Sequence, residues 1–286
     1  MILDFSMIKY HLLPTLMTLP HLTKKQQEIL ILIYRFRFID RIQLQTILQH
    51  KNHRRIHTWL TDLVNKDYIG RIYSKKIPDN TKPAVYYQGK NGRKYLQKHF
   101  ATAEKEEKPD EQALYQLTKT YKDSTRTEVF KATCLALVDC YLASTAYTDK
   151  KHFTKITFSS LTECATYSLL KKFDSYLAVK YKNGRIKRYA FIYFTHRTPR
   201  RFIRYRVAEV IKYFQEWGYD SDQPYPIVLG ICSNHPIKNY VKKVCESKFA
   251  YYNHPEIKIS LTTLYELKTE GMEKEIWVSP KNEEED

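Results

Sequence analysis

Several features that would indicate other classes of protein are missing from this sequence. Its five cysteines, Cys134, Cys140, Cys164, Cys232 and Cys245, show neither a pairing pattern nor close Cys/His spacing. We therefore expect buried thiols rather than disulfides or zinc ligands. No apolar run approaches the length of a membrane span, and the N-terminus lacks a charged start followed by a cleavage site. A cytoplasmic protein without membrane contact is expected.

Acidic residues are scarce relative to basic ones, and the imbalance is uneven along the chain. The 286 residues contain 48 Lys and Arg against 31 Asp and Glu, a formal net charge of +17. Residues 1–100 hold 18 basic against 6 acidic side chains, and residues 151–250 hold 19 against 7. The segment between these blocks and the end of the chain are slightly acidic. Two basic blocks indicate a polyanionic partner, and the length allows two domains.

The first basic block centres on residues 51–98, where a helix followed by a β-hairpin is predicted. One face of the helix is apolar, because large apolar residues recur at helical spacing. The residues of that face are Ile56, Trp59, Leu60, Leu63 and Val64. The opposite face near the helix start is basic. Residues 67–74 and 84–87 are predicted as the two strands, with 77–83 as their turn. Residues 89–92 are predicted as a further turn, and residues 93–100 as a helix that follows it.

Two more helices are predicted before this stretch. Thr23 is the expected N-cap of the first, and Asp40 caps a shorter helix over Arg41–Gln49 with Ile42 and Leu44 turned inward. Helix, short helix, basic helix and hairpin follow in the order of a winged helix-turn-helix. In that geometry the third helix enters the major groove of DNA and the hairpin lies along the backbone. A small α+β domain with a solvated basic face is the alternative.

A charged segment separates this part from the rest of the chain. Residues 101–124 have linker composition, so we predict domains at 1–100, including an N-terminal arm, and at 125–278, before an acidic tail at 279–286. In the second domain the pattern predicts a helix, three strands with a hairpin at Asn183-Gly184, and then helix, strand, helix and strand. The chain is thus expected to be α+β, with a mixed sheet in an α/β second domain.

Two short stretches, Phe173-Asp174 and Phe191–Thr198, carry a family resemblance together with the order of elements. The chain resembles the replication-relaxation family of plasmid and mobile-element proteins. The resemblance implies an N-terminal winged helix and a C-terminal domain similar to the restriction-endonuclease-like fold. Where the family has Pro-Asp, this sequence keeps Asp174. Where the family has Glu-x-Asp followed by Thr, Tyr193 and Thr195 replace the two acids and Thr198 remains.

These replacements bear on catalysis. A nuclease of that fold holds Mg²⁺ between at least two carboxylates, because a hard cation needs charged oxygen ligands. Asp174 supplies one, but the next acidic residue along the chain is Glu209. Residues 180–212 instead hold eleven Lys and Arg and one Glu. We expect a nuclease-like domain without hydrolytic activity, with Asp174 as a remnant and with neither metal nor cofactor.

The residues predicted to contact DNA form three groups. Arg suits guanine edges, Asn suits adenine, and Lys or Thr reaches phosphate. The helix group is Lys51, Asn52, Arg54, Arg55, His57 and Thr58. The group at the hairpin tip is Lys75, Lys76 and Lys82. The second-domain group is Arg185, Lys187, Arg188, Arg197, Arg200, Arg201, Arg204 and Arg206.

The second-domain group is interleaved with Tyr189, Tyr193 and Tyr205. This pattern favours nucleic acid, including single strands on whose bases aromatic rings stack. A surface for an acidic protein and ordinary solubility are the alternatives.

Three functions are compatible with the sequence. The first is a sequence-specific double-stranded DNA-binding protein of a plasmid or mobile element, acting in replication or DNA relaxation, with replication proteins or a second copy as further partners. The second is a transcriptional regulator whose C-terminal domain senses or dimerises. The third is a metal-dependent nuclease with rearranged ligands, using Asp174 and either Glu163 or Glu209.

Overall fold

The computed structural model divides the chain into two compact units. It describes residues 19–76, 81–103, 120–147, 153–165, 170–216, 225–252, 257–272 and 275–280. The first unit ends at Val138 and the second begins at Asp139. The predicted N-terminal arm up to residue 18, residues 104–119 of the predicted linker and residues 281–286 of the predicted tail lie outside the described residues.

Three helices open the first unit, and side-chain caps define where each begins. Their bounds are Lys24–Phe36 for α1, Arg41–Ile47 for α2 and His53–Asn65 for α3. The side chains of Thr23 and Asp40 each accept a hydrogen bond from the third backbone N–H of their helix. In turn, the backbone N–H groups of Thr23 and Asp40 donate to the side-chain oxygens of Gln26 and Gln43. Both predicted N-caps are therefore confirmed.

The short helix α2 departs from its predicted orientation at one position. Leu44 is fully buried as expected, but Ile42 is 52% exposed. Gln43 is buried in its stead, because its amide nitrogen donates to the carbonyl oxygen of Leu135 at 2.9 Å. A polar side chain can occupy the interior when it is hydrogen-bonded in this way.

A three-stranded antiparallel sheet packs with these helices. Its strands are β1 at Phe38–Asp40, β2 at Ile69–Ile72 and β3 at Val85–Gln88, in the order β1-β3-β2. The hairpin of β2 and β3 agrees with the predicted one. Strand β1 was not predicted, because three residues are too few to show the alternation that marks a strand.

The predicted turn at residues 89–92 is wrong, since a helix, α4, runs from Lys90 to Ala103. The glycines there allow close packing rather than a turn. A Cβ on Gly92 would lie 2.2 Å from the carbonyl oxygen of Tyr68, and one on Gly89 would lie 2.4 Å from that of Asp67. Glycine is thus required where α4 starts against the chain that leaves α3.

The described end of the predicted linker, residues 120–124, and the start of the predicted second domain, up to Val138, also belong to the first unit. Asp123 is buried and accepts a hydrogen bond from Nε of Arg37 at 2.9 Å. The Arg37 guanidinium carbon lies 3.6 Å from the ring centroid of Tyr121. Phe130 meets Phe38 edge-on, with ring centroids 6.1 Å apart. These contacts explain why the division between units falls after residue 138 and not in the charged segment.

Helix α5, Glu128–Ala146, contains this division. Of the helices that the structure describes, it alone is long and apolar enough to qualify as a membrane span, although no such span was predicted. Part of its apolar surface is packed inside the protein. Cys134, Val138 and Cys140 are buried, and Tyr141 lies edge-on to Phe158 with ring centroids 5.2 Å apart. These contacts account for the 39% of the apolar stretch that is buried.

The second unit is built on a five-stranded mixed sheet, as predicted. Its strands, in spatial as well as chain order, are β4 Phe153–Ser159, β5 Ser175–Tyr181, β6 Ile186–Phe194, β7 Ile227–Cys232 and β8 Ile259–Thr263. The first three pair antiparallel and the last three parallel. The predicted Asn-Gly turn joins β5 to β6, and Gly184 has a φ of 81° that suits glycine.

Four of the helices that the structure describes accompany the sheet. Their bounds are Leu161–Cys164 for α6, Arg200–Glu216 for α7, His235–Tyr252 for α8 and Leu264–Glu270 for α9. Two of them, α7 and α8, connect the parallel strands. Ile203 and Val207 of α7 and Val241 of α8 share a core with Ile192 and Phe194 of β6. The short helices α6 and α9 were not predicted, although both begin with a Ser/Thr-x-x-Glu capping box that is visible in the sequence.

Candidate nucleic-acid interface

Helix α3 presents a polar and mostly basic face to solvent. Ile56, Leu60 and Leu63 are buried on its inner side. All the residues of the predicted helix group are exposed: Lys51, Asn52, Arg54, Arg55, His57 and Thr58. The predicted separation into an apolar and a basic face is therefore confirmed.

Asn52 has a structural role that the sequence prediction missed. Its side-chain oxygen accepts bonds from the backbone N–H groups of Arg54 and Arg55 at 3.0 and 3.2 Å, and so caps α3. These two bonds use both lone pairs of the oxygen, which leaves no acceptor for the bidentate pairing of Asn with adenine. We therefore place Asn52 among the residues that position the helix rather than among those that contact bases.

The capping role leads to a stability prediction. Asn52→Ala is expected to lower the free energy of unfolding of the first unit by about 1 kcal/mol, whereas Asn52→Ser, which keeps a capping oxygen, should lie within a few tenths of the wild type. Urea titration with circular dichroism at the α-helix band measures both. The sequence also predicts that the α3 face binds DNA, and on that prediction the Ser variant should keep the wild-type affinity for DNA. If the Asn52→Ser protein is stable but no longer binds DNA, Asn52 contacts a base as the sequence predicted.

An open depression beside α3 gathers side chains from two helices. It has a volume of about 350 Å³ and is lined by Arg41, His53, Arg54, His57 and Thr58. Arg41 comes from the first turn of α2. Neither Arg41 nor His53 was predicted; the signal for Arg41 was its position directly after the Asp40 cap. The depression offers two guanidinium and two imidazole groups, which suit an anionic partner.

The one acidic side chain on α3 is neutralised within the first unit. Asp62 accepts hydrogen bonds from Nζ of Lys66 at 2.7 Å and from Nε2 of Gln26 at 2.5 Å. The Lys66 ammonium group holds the pKa of Asp62 below its ordinary value. The carboxylate is thus charged but locally offset, so it opposes little of the attraction between α3 and an anion.

The two arginines of α3 leave the helix on different sides. Arg54 lines the depression, whereas the guanidinium carbon of Arg55 lies 5.7 Å from the ring centroid of Trp59. Trp59 is half-buried and meets His50 edge-on, with ring centroids 5.1 Å apart. A cation–π contact at an exposed site contributes about 0.5–1 kcal/mol, enough to favour one direction for Arg55.

The β2–β3 hairpin emerges directly from the end of α3. Asp67 adopts a φ of 55°, and the N–H of Tyr68 donates to the carbonyl of Leu63 at 2.9 Å, which turns the chain from helix into strand. Residues 77–80 at the tip lie outside the described residues. The exposed basic and aromatic side chains flanking them are Arg71, Tyr73, Lys75, Lys76 and Lys82. The predicted hairpin group therefore follows α3 within the same unit.

The predicted second-domain group is spread over several surfaces. Lys187 and Arg188 are adjacent on β6 and so point to opposite faces of the sheet. Arg185 lies in the turn before β6 and Arg197 in the loop after it. The members that share one helix and are exposed are Arg200, Arg201 and Arg204 of α7.

Comparison with known proteins adds no assignment. No protein-family model matches the chain, and neither a curated protein nor a solved structure matches it. Any functional assignment therefore depends on the residues and their surroundings.

Asp174 is held in place by two bonds within the second unit. Its Oδ2 accepts from the backbone N–H of Tyr193 at 2.8 Å, and its Oδ1 accepts from Nη2 of Arg206 at 2.6 Å. The side chain of Asp174 is buried, while that of Arg206 is 38% exposed. Arg206 was grouped with DNA-binding residues, but its guanidinium is committed to this ion pair. The predicted remnant carboxylate thus links β5, β6 and α7.

The other acids proposed as rearranged metal ligands are engaged elsewhere. The Glu163 carboxylate accepts from the backbone N–H of Ser160 in the capping box of α6. Glu209 pairs with Lys172 at 2.7 Å. Within the described parts of the chain, no group of three His, Cys, Asp or Glu side chains converges in a way that could hold a metal ion.

Nucleophiles of the second unit are suppressed by burial. Cys140, Cys164, Cys232 and Cys245 are buried, and loss of solvent raises the pKa of each thiol, in Cys245 to about 12. Burial likewise raises the pKa of Tyr193 to about 12. A thiolate or phenolate nucleophile at neutral pH is therefore disfavoured at these positions. The prediction that the cysteines are buried thiols is confirmed.

Proposed function

We propose that the first unit is a winged helix-turn-helix domain that binds duplex DNA at a specific sequence. The observation that carries this proposal is the exposed basic face of α3, which is joined without a linker to a hairpin bearing further basic side chains. Helix α3 would enter the major groove and the hairpin would lie on the backbone. The depression around Arg54 would receive a phosphate or a base edge.

The element order supports this assignment. Strand β1 precedes α2 and pairs with β3, so that the hairpin is anchored to the helices by a three-stranded sheet. Such anchoring fits a hairpin that must keep a fixed position beside a reading helix. The second unit has a mixed sheet whose strand β6 shares a core with α7 and α8. This arrangement is compatible with a restriction-endonuclease-like scaffold, and we propose that the second unit has no hydrolytic activity.

The biological role that fits best is that of a plasmid or mobile-element protein acting in replication or DNA relaxation. This part of the proposal depends on the resemblance to the replication-relaxation family. A transcriptional regulator would use the same first unit, and the position of the bound site distinguishes the two roles. Footprinting on DNA flanking the gene should protect an origin for the first role and a promoter for the second.

The central test compares specific with nonspecific binding. A target is first selected from a random duplex library with the full-length protein. Arg54→Ala and Arg55→Ala are then expected to weaken binding to that target by about 1–3 kcal/mol and binding to random duplex by much less, because a lost base contact affects only the correct sequence. Lys75→Ala and Lys82→Ala should weaken both duplexes alike, since backbone contacts carry no sequence information. Fluorescence anisotropy measures all four.

Lys94→Ala is the matched control, because Lys94 is an exposed basic residue of the first unit that lies on α4 and is not one of the proposed interface residues. Its affinity for either duplex should equal that of the wild type. If the α3 variants lose the same affinity for target and random duplex, α3 is not a reading helix. If Lys94→Ala weakens binding as much as Arg54→Ala, net charge rather than the α3 face explains the binding.

A further inference from the structure

Helix α7 exposes two aromatic rings on its solvent side. Phe202 is 51% exposed and Tyr205 is 63% exposed, and they lie one turn apart on the helix. The opposite side of α7 is buried through Ile203 and Val207. The core-facing side of α7 is thus formed by other residues, and Phe202 and Tyr205 are not needed to fill the core.

Basic side chains surround the two rings. Arg201 and Arg204 are exposed on the same helix, and the guanidinium carbon of Arg201 lies 5.0 Å from the ring centroid of Phe202. Lys212 continues the exposed side two turns beyond Tyr205. The face thus alternates flat apolar groups with cations.

The one acidic side chain of α7 next to this face besides Glu216 is Glu209, and it is paired within the second unit. Nζ of Lys172 donates to its carboxylate at 2.7 Å. The Lys172 ammonium group holds the pKa of Glu209 below its ordinary value. The carboxylate is thus charged but locally offset, so it opposes little of the attraction between this face and an anion.

The mixture of exposed aromatic rings and cations on α7 favours one class of ligand over the others. An apolar protein partner would be opposed by the desolvation of several cations, and an acidic protein would leave the exposed rings unused. A base-paired duplex offers its phosphates but not the faces of its bases. A single-stranded nucleic acid offers both, since its bases can stack on Phe202 and Tyr205 while its phosphates meet Arg201 and Arg204.

We propose that this side of α7, defined by Arg201, Phe202, Arg204, Tyr205 and Lys212, binds single-stranded nucleic acid. The site is separate from the proposed duplex interface of the first unit and does not depend on it. Of the three tyrosines that the sequence interleaves with the basic group, Tyr193 is buried and Tyr189 half-buried, which leaves Tyr205 for stacking. Phe202 was not identified from the sequence.

The test uses the full-length protein and fluorescein-labelled oligo-dT of about 15 nucleotides, a length within the range that such sites cover. Tyr205→Ala and Phe202→Ala are each expected to weaken binding roughly tenfold, because each removes one stacking platform. Tyr205→Phe keeps the ring and should retain most of the affinity. An abasic oligomer of equal length, which has phosphates but no bases, should bind the wild type no better than oligo-dT binds Tyr205→Ala.

Tyr251→Ala is the matched control. Tyr251 is 77% exposed and lies on α8, where Nζ of Lys248 is 5.8 Å from its ring centroid. This variant should bind oligo-dT like the wild type. The duplex test above uses a different ligand and different variants, so that failure of the duplex proposal and failure of this one are distinguishable. Oligo-U in place of oligo-dT, measured alongside, identifies whether RNA or DNA is preferred, and either preference supports the site.

Three outcomes would overturn the proposal. One is equal affinity of Tyr205→Ala, Tyr251→Ala and the wild type for oligo-dT. Another is equal binding of the abasic oligomer and oligo-dT, which would indicate a site for polyanions in general, acidic proteins included. The third comes from photo-cross-linking with 5-iodouracil oligomers, where adducts on neither Phe202 nor Tyr205 would exclude stacking on this face.

Discussion

Asp123→Ala is expected to lower the free energy of unfolding of the first unit by about 3–5 kcal/mol, because it leaves the buried guanidinium of Arg37 without its carboxylate. Only 1% of the Asp123 side chain and 6% of the Arg37 side chain are exposed. Arg37 donates from both Nε and Nη2 to the carboxylate, so two hydrogen bonds are lost together. Tyr121 still covers one face of the guanidinium but offers it no negative charge.

The measurement must separate the two units. Urea titration followed by hydrogen exchange of peptides from α1 measures the first unit by itself. Glu128→Ala is the matched control: it also breaks an ion pair, with Lys131, but Glu128 is 65% exposed and its loss should cost less than about 1 kcal/mol. Equal effects of the two substitutions would mean that the Arg37–Asp123 pair contributes no more than a surface pair.

The Arg37–Asp123 pair also indicates which parts of the fold sequence patterns can predict. Periodicity found α1, α3, α7 and the five strands of the second sheet, because a helix or strand that buries one face must repeat its apolar residues with a fixed period. Arg37 and Asp123 are 86 residues apart. No local pattern relates them, and Asp123 was assigned to a linker because its neighbours are polar. Local signals therefore placed the elements but not the division between the units.

Short elements show a second limit. β1 has three residues and α6 has four, too few for a period to appear. Capping boxes can still identify a short helix, as the Thr263-x-x-Glu266 box of α9 does, because they mark the helix start independently of its length. Gly89 and Gly92 led to the prediction of a turn that is absent. The structure instead requires glycine at both positions because the backbone there lies close to Asp67 and Tyr68.

The candidate sites also contain some residues that local patterns could predict and others that they could not. Exposure of Arg54, Arg55 and His57 follows from helical spacing alone, so the α3 face was predicted from the sequence. The capping bonds of Asn52 depend on backbone geometry at the helix start. The commitment of Arg206 depends on Asp174, which is 32 residues earlier in the chain. A count of charged residues cannot separate Arg206 from arginines that have no ion-pair partner, because it contains no information about which side chains are in contact.

Asp174→Ala is expected to destabilise the second unit by about 2–3 kcal/mol, since it removes the acceptor of both the Tyr193 amide and the Arg206 guanidinium. The partial exposure of Arg206 places the effect below the cost of breaking a fully buried pair. Hydrogen exchange of peptides from β6 during urea titration measures it. Glu209→Ala is the matched control, because Glu209 pairs with Lys172 nearer the surface and should cost less than about 1 kcal/mol.

The same variant distinguishes a structural carboxylate from a catalytic one. A carboxylate retained for metal binding repels its neighbours in the metal-free protein, so its removal is commonly neutral or stabilising and abolishes activity. Asp174 instead faces Arg206, whose cation would compete with Mg²⁺ for the same oxygen. Wild-type protein with Mg²⁺ or Mn²⁺ should therefore leave supercoiled plasmid uncut. Cleavage that disappears in Asp174→Ala, with stability unchanged, would make Asp174 a metal ligand and the second unit an active nuclease. Lost stability without any cleavage in either protein would assign Asp174 to the scaffold.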